Sequence, residues 1–186
     1  MDGVRLIIIT VPPPAVRAEL LGLRAVCAGV SSSYAAAAYP PHVTLRTGVV
    51  VPEAAMEGFL AEFGRLLEGV RPFAIRTGDV VFGSVARDAG EQPIVALEVD
   101  PSPELTGLNA RLLRYTPHHR SDRTLFWPHL TLAFEDLTEE GRGRLEKYLA
   151  AREELRARRF AWRCDNVSLY RRTGPLWQPF HVYRLA

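Results

Sequence analysis

Apolar positions change period along the chain, and each change marks an element. Arg5-Leu6-Ile7-Ile8-Ile9 is a β-branched run and predicts a strand. The stretch from Ala15 to Cys27 is rich in alanine and leucine, with Leu20, Leu21 and Leu23, and predicts a helix. The apolar-polar alternation around His42 predicts a second strand. Pro52 suits the first turn of another helix, in which Met56, Phe59, Leu60, Phe63 and Leu67 recur at helical spacing. Residues 72 to 80 and 80 to 87 read as two strands around a bend, with Gly83 a weak breaker.

The second half of the chain runs through the same order. Pro93 to Val99 reads as a strand, and Leu105, Leu108 and Leu112 form a helical stripe. The segment around His129 is again a strand. Asp136, with Glu139 three residues on, predicts a capping box for a helix. Leu145, Tyr148 and Leu149 give that helix its inner face, and a polar continuation through Glu153 and Arg159 faces solvent. Residues 160 to 170 read as one strand, Arg171 to Pro175 as a turn, and Phe180 to Leu185 as a closing strand.

This parallel order extends to the residues themselves. Pro41-His42-Val43-Thr44-Leu45 reads like Pro128-His129-Leu130-Thr131-Leu132, 87 residues on. Phe73-Ala74-Ile75-Arg76 matches Phe160-Ala161-Trp162-Arg163 at the same offset, as does Val80 with Val167. Separate matches at one offset indicate an internal duplication, spanning approximately 4–88 and 91–172, with the closing strand 180–185 added. Neither half is large enough to be comfortable alone. The expected architecture is α+β: one bilobal domain over residues 1–186, with two pseudo-symmetric lobes of antiparallel sheet, outer helices, and a central cleft carrying both His-x-Thr motifs.

Composition narrows the class. The 186 residues fit one domain, and 47% are hydrophobic, as in ordinary globular chains. No apolar run is long enough to span a bilayer. The first such run enters Val11-Pro12-Pro13-Pro14 without a small-residue cleavage site and so reads as a strand, not a signal peptide. Cys27 and Cys164 make neither a disulfide framework nor a metal motif, and Cys27 is expected in the core. A cytoplasmic monomer with no membrane partner is the expectation. Net charge is only +2, too weak to require nucleic acid. The bases are nearly all arginine, with Lys147 the sole lysine. Arginine forks onto phosphate oxygens, although GC-rich codon usage accounts for most of this bias. Neither glycine-rich phosphate fingerprint appears, which disfavours a nicotinamide or ATP enzyme.

The histidine motifs carry the candidate chemistry. Side chains alternate along a strand, so His42 shares a face with Thr44, and His129 with Thr131, while Val43, Leu45, Leu130 and Leu132 point into the core. Opening a phosphodiester requires one group to take a proton from the nucleophile and another to give one to the leaving oxygen. Histidine does both near neutral pH, and the threonine hydroxyls suit nonbridging phosphate oxygens. The scheme requires no metal and no cofactor. By the same alternation Arg46 joins the face of His42 and Thr44, either as a phosphate-binding candidate or as a solvated strand-end arginine. Residues 114 to 123 form a basic loop that is either a nucleic-acid contact, with Tyr115 stacking on a base and Arg123 meeting a phosphate backbone, or a solvated connector. His118, His119 and Asp122 superficially resemble metal ligands, but adjacent histidines in such a stretch do not define a dedicated site. Trp127 either covers the cleft mouth or packs between lobes, and Trp177 is assigned to the core. Arg76 and Arg163 are repeat-related and either play matching roles beside the cleft or lie exposed.

Two His-x-Thr motifs inside apolar strands, His42-Val43-Thr44 and His129-Leu130-Thr131, resemble the mark of the 2H phosphoesterase superfamily, which includes bacterial 2′-5′ RNA ligase-like proteins and cyclic nucleotide phosphodiesterases. The resemblance covers essentially the whole chain. It implies a bilobal α+β fold and metal-independent hydrolysis of a 2′,3′-cyclic phosphate on an RNA end or nucleotide, leaving a 2′-phosphate. It also implies His42 as acid and His129 as base, roles that pseudo-symmetry makes interchangeable. The pattern departs at Phe134, where some relatives carry arginine. Phe134 is kept as a substrate-binding candidate, and a tRNA ligase role is not carried over. Hydrolysis or reversible ligation of another cyclic or 2′-5′ phosphodiester, and an inactive RNA-end binding module, are the alternatives.

Overall fold

A computed structural model describes residues 3–87, 90–116, 126–174 and 176–186. The chain order is β1 (Val4–Thr10), α1 (Pro14–Ser31), a 3-10 turn (Ala35–Ala38), β2 (Val43–Val51), α2 (Met56–Leu67), β3 (Phe73–Arg87), β4 (Gly90–Val99), α3 (Pro103–Tyr115), β5 (His129–Ala133), α4 (Glu139–Ala150), α5 (Glu153–Arg156), β6 (Ala161–Cys164), β7 (Asn166–Thr173) and β8 (Leu176–Arg184). The described strands form two four-stranded antiparallel sheets, ordered β2-β1-β7-β8 and β5-β4-β3-β6.

Sheet membership does not follow the sequence repeat. The first sheet takes β1 and β2 from the first half and β7 and β8 from the end of the chain. The second takes β3 from the first half and β4, β5 and β6 from the second. The two copies of Phe-Ala-x-Arg pair with each other, with Ile75 opposite its own equivalent Trp162. A pseudo-two-fold axis therefore passes through this pair, as in an isologous contact. Beyond it each half's strand leads into pairing with the other half, β3 with β4 and, after β6, β7 with β1. The bend expected near residue 80 is a register shift between Thr77 and Val80, where β3 changes partner from β6 to β4. The single strand expected at 160 to 170 is divided at Asp165 because its two parts belong to different sheets. Arg76 and Arg163 are exposed on the paired strands.

One apolar cluster runs through both lobes. It joins Leu6, Ile8, Val43 and Leu45 of the first sheet to Val95, Leu97, Leu130 and Leu132 of the second, with Leu20, Leu23 and Cys27 of α1 and Leu105, Leu108 and Leu112 of α3. The helices cross over as the strands do: α1 packs on β5, and α3 packs on β2. Both β2 and β5 are sheet edges, whose outward carbonyls need partners when covered. Arg24 Nε of α1 donates to the Thr131 carbonyl at 2.8 Å, and Asn109 Nδ2 of α3 donates to the Leu45 carbonyl at 2.7 Å.

The expected capping box at Asp136 is not the cap. Thr138 caps α4, its hydroxyl accepting from Gly141 N at 3.1 Å. This seats α4 against the end of α1, where Arg144 donates to the Val30 and Ser31 carbonyls at 3.2 Å each, two groups a helix end leaves unpaired. The approach needs a glycine, because a Cβ on Gly141 would lie 2.5 Å from the Ser31 oxygen. Gly141→Ala should therefore cost about 1–3 kcal/mol of stability through overpacking. Gly143→Ala, where a Cβ meets nothing within 4 Å, should be neutral or stabilising by up to about 1 kcal/mol. Urea denaturation of the two variants checks this, and equal effects would refute the contact as the cause.

Candidate active site

The strand exchange brings the edges β2 and β5 together, and the motifs sit on these edges. Their apolar residues Val43, Leu45, Leu130 and Leu132 are at most 1% exposed, while Thr44 and Thr131 are only half-buried. His42, His129, Thr44 and Thr131 all line one cavity of about 90 Å³, with Arg24, Tyr39, Thr47, Phe134 and Glu135 also on its walls.

Each histidine is held in the same way. His42 Nδ1 lies 2.7 Å from the Pro40 carbonyl, and His129 Nδ1 lies 2.9 Å from the Trp127 carbonyl. The acceptors occupy equivalent positions of the repeat. A carbonyl oxygen only accepts, so Nδ1 carries the hydrogen in both rings, and Nε2 is the nitrogen that exchanges a proton. The prolines at 41 and 128 favour the extended backbone that brings these carbonyls to their rings. Trp127 stacks on His129 with ring centroids 4.3 Å apart, and Tyr39 lies 5.9 Å from His42. Burial pushes the His42 pKa down to about 4, the positive charges of Arg24 and His129 act in the same direction, and the Pro40 bond opposes them. His42 is thus neutral at pH 7.

The residues between α1 and β2 form one wall. Asp136 reaches across from the second half to accept from the Ser33 hydroxyl at 2.6 Å, Tyr34 N at 2.7 Å and Ala35 N at 3.1 Å. Burial works to raise this carboxyl's pKa, but the bonds from Ser33, Tyr34 and Ala35 outweigh it and hold the pKa below the ordinary carboxylate value. The preceding Glu135 has φ +62°, and its carboxylate accepts from the Tyr39 hydroxyl at 3.2 Å. Tyr39 in turn stacks on Trp177, centroids 6.3 Å apart, so Trp177 supports this wall and is not sealed in the core.

Arg46 does not join the face of His42 and Thr44. A register shift between Ile8 and Ile9 sets Ile8 opposite Arg46 but Ile9 opposite Thr44. The extra residue breaks the alternation, so Leu45 and Arg46 are both buried, and Thr47 takes the place on the cavity wall. Arg46 donates to the Thr116 hydroxyl at 3.2 Å and to the Thr116 carbonyl at 3.3 Å, fixing the end of α3. Tyr115 is also away from the cavity. It packs against Phe59 and Phe63, and its hydroxyl reaches the Phe59 carbonyl and Glu62, each at 3.3 Å. Trp127 positions His129, and Phe134 lines the cavity. Arg123, like His118, His119 and Asp122, lies outside the described residues. Among the described residues no three His, Cys, Asp or Glu side chains gather as a metal-ligand set, and no helix is long and apolar enough to cross a membrane.

Sequence reasoning missed Arg24, Tyr39, Thr47 and Glu135. Arg24 alone had a legible signal: it stands on the buried stripe Leu20, Arg24, Cys27, Ser31 of α1, at a spacing reserved for core residues.

Known proteins share this fold. Escherichia coli LigT, in a crystal structure with 3′-AMP, superposes with a TM-score of 0.62 at 17% identity, covering 100% of this chain and 99% of that one. A Thermus thermophilus protein superposes with a TM-score of 0.67 at 18% identity, covering 97% of each chain. A Bacillus cytotoxicus protein named for a phosphoesterase activity is 32% identical over 95 residues, which is 50% of this chain and 51% of that protein. The aligned stretch is thus about half the length of this curated relative. The profile of the 2′-5′ RNA ligase superfamily matches residues 12–175, a span that contains both histidine motifs and every residue on the cavity wall except Ile7. On that match the chain belongs to the 2′-5′ RNA ligase superfamily, the LigT-like 2H phosphoesterases.

Proposed function

We propose that the protein hydrolyses a 2′,3′-cyclic phosphodiester on an RNA end or nucleotide to a 2′-phosphate, with His42 and His129 as the acid-base pair. The observation that carries this reading is the matched tautomer: two imidazoles on one cavity, each fixed through Nδ1 so that Nε2 exchanges the proton. Water attacks phosphorus, and one Nε2 takes its proton. The bond from phosphorus to O3′ breaks, and the other imidazolium gives its Nε2 proton to O3′. The Thr44 and Thr131 hydroxyls donate to the nonbridging oxygens as charge builds there. Solvent exchange then restores the two protonation states. The structures of E. coli LigT with 3′-AMP and with phosphate support a nucleotide phosphate as the ligand class.

The test is incubation with 2′,3′-cyclic-phosphate-ended RNA and the four cyclic mononucleotides in EDTA, with products resolved by mass and by 2′- against 3′-phosphate identity. A 2′-phosphate product is expected. Binding of the cyclic end without product across pH 5 to 8 would refute turnover and leave an RNA-end binding module.

A further inference from the structure

We infer that Arg24 is the anion-binding cation of this cavity, a residue of α1 that holds the phosphoryl group through its Nη2 edge. This rests on the cavity being a phosphate site, as proposed above. Arg24 is 6% exposed and lines the cavity with both histidines and both threonines. Its Nε donates to the Thr131 carbonyl at 2.8 Å, and its Nη1 donates to the Ala36 and Tyr39 carbonyls at 3.1 and 2.9 Å. Nη2 takes part in none of these bonds. It is also not among the sealed polar atoms without a partner, a set that among the described residues holds Trp162 Nε1.

The guanidinium has no carboxylate partner among the described residues. Its three bonds all go to neutral oxygens. Removing a cation from water is costly unless an opposite charge meets it, and carbonyl dipoles offset only part of that cost. Such a group is held rigid before the ligand arrives, which is the condition for strong stabilisation of developing negative charge. The other titratable groups facing the cavity are His42, His129, Glu135 and Tyr39. Glu135 is engaged by the Tyr39 hydroxyl, and neither histidine supplies a counter-charge. The carbonyls that hold Arg24 belong to the motif strand β5 and to the wall before β2, so its charge is fixed relative to Thr131 and Tyr39 from both sides.

Isothermal titration with inorganic phosphate, on wild type and on Arg24→Met and Arg24→Lys, tests this directly. Arg24→Met should weaken phosphate binding by at least about tenfold and lower kcat/KM by about 10²- to 10³-fold. Arg24→Lys should recover part of both, because it keeps the charge but loses the fork. The His42 imidazole, followed by NMR, should titrate at higher pH in Arg24→Met than in wild type or Arg24→Lys, a readout that a purely structural brace would not move. Phosphate affinity within about threefold of wild type in folded Arg24→Met would overturn the inference. Should that variant not fold, the wild-type protein decides: the Arg24 Nε–H resonance is expected to shift with phosphate, and an unmoved resonance at saturation overturns the assignment. Arg24-dependent phosphate binding without turnover of any cyclic substrate would refute the hydrolase reading alone. Turnover that survives Arg24→Met unchanged would refute the role of Arg24 alone.

Discussion

Replacing either His42 or His129 with alanine is expected to lower kcat on a 2′,3′-cyclic phosphate by about 10³-fold, the scale of a lost general acid or base, while the protein stays folded. The folding half of this expectation rests on position. His42 is half-buried at a cavity wall, and His129, though only 6% exposed, also opens on it. The chemical half rests on the two Nδ1-to-carbonyl bonds, which give both imidazoles the same tautomer. In the proposed mechanism the histidines act in one proton cycle, so the double variant should be little worse than either single one. Thr44→Ala and Thr131→Ala should each cost about 10- to 100-fold, as each removes one hydrogen bond to a nonbridging oxygen. Single-turnover kinetics with circular dichroism as the folding control check all five variants. Near-normal turnover in either folded histidine variant would break the two-histidine mechanism.

Stability should fall as pH drops from about 6.5 towards 4, and His42 should be a separable cause. Its pKa is pushed down to about 4 in the folded cavity, against about 6.5 in an unfolded chain. Between those values the unfolded state binds the extra proton, so stability rises with pH there and is lost on acidification. From pH 6.5 to 5 the expected loss is about 2 kcal/mol. Carboxylates and other histidines titrate nearby, so the quantity to measure is the difference between wild type and His42→Gln in urea denaturation at each pH. That difference should change by about 2 kcal/mol over this interval, and a constant difference would refute the depressed pKa. A bound phosphate should act with the opposite sign. Its negative charge favours the imidazolium, so phosphate should bind more tightly as pH falls and should raise the His42 pKa in an NMR titration. The same coupling bears on the roles of the pair. Burial leaves His42 in the form of a base at neutral pH, and in the proposed mechanism it serves as the acid once the anionic substrate raises its pKa.

The two motif strands and the inward face of each were legible because each depends on local pattern; that both strands are sheet edges was not. Apolar alternation at Val43, Leu45, Leu130 and Leu132 specifies which face turns inward, and the recurrence of Pro-His-x-Thr-Leu at one offset goes with equivalent placement of the two imidazoles. Arg46 shows where this logic stops. Alternation from His42 through Thr44 leads to Arg46, but one extra residue in the ladder with β1 transfers the position to Thr47. The bulge is a property of strand pairing, and neither strand announces it alone. Tyr115 follows a related logic: a tyrosine beside arginines reads as a stacking platform, yet its ring packs on Phe59 and Phe63 of α2, distant in the sequence.

The sequence by itself determined the α+β class, the strands that carry the motifs and which of their residues turn inward, because period and residue type act over a few positions. Tertiary structure decided which halves supply which sheet, since the Phe-Ala-x-Arg copies pair with each other and send each following strand into the opposite lobe. It also decided the electrostatics of the site. Arg24 lies 18 residues from His42 and 105 from His129, and only packing of α1 across the second motif strand places a buried guanidinium in one cavity with both imidazoles. Charges meet according to distance in space, and that distance is set by the exchanged strands.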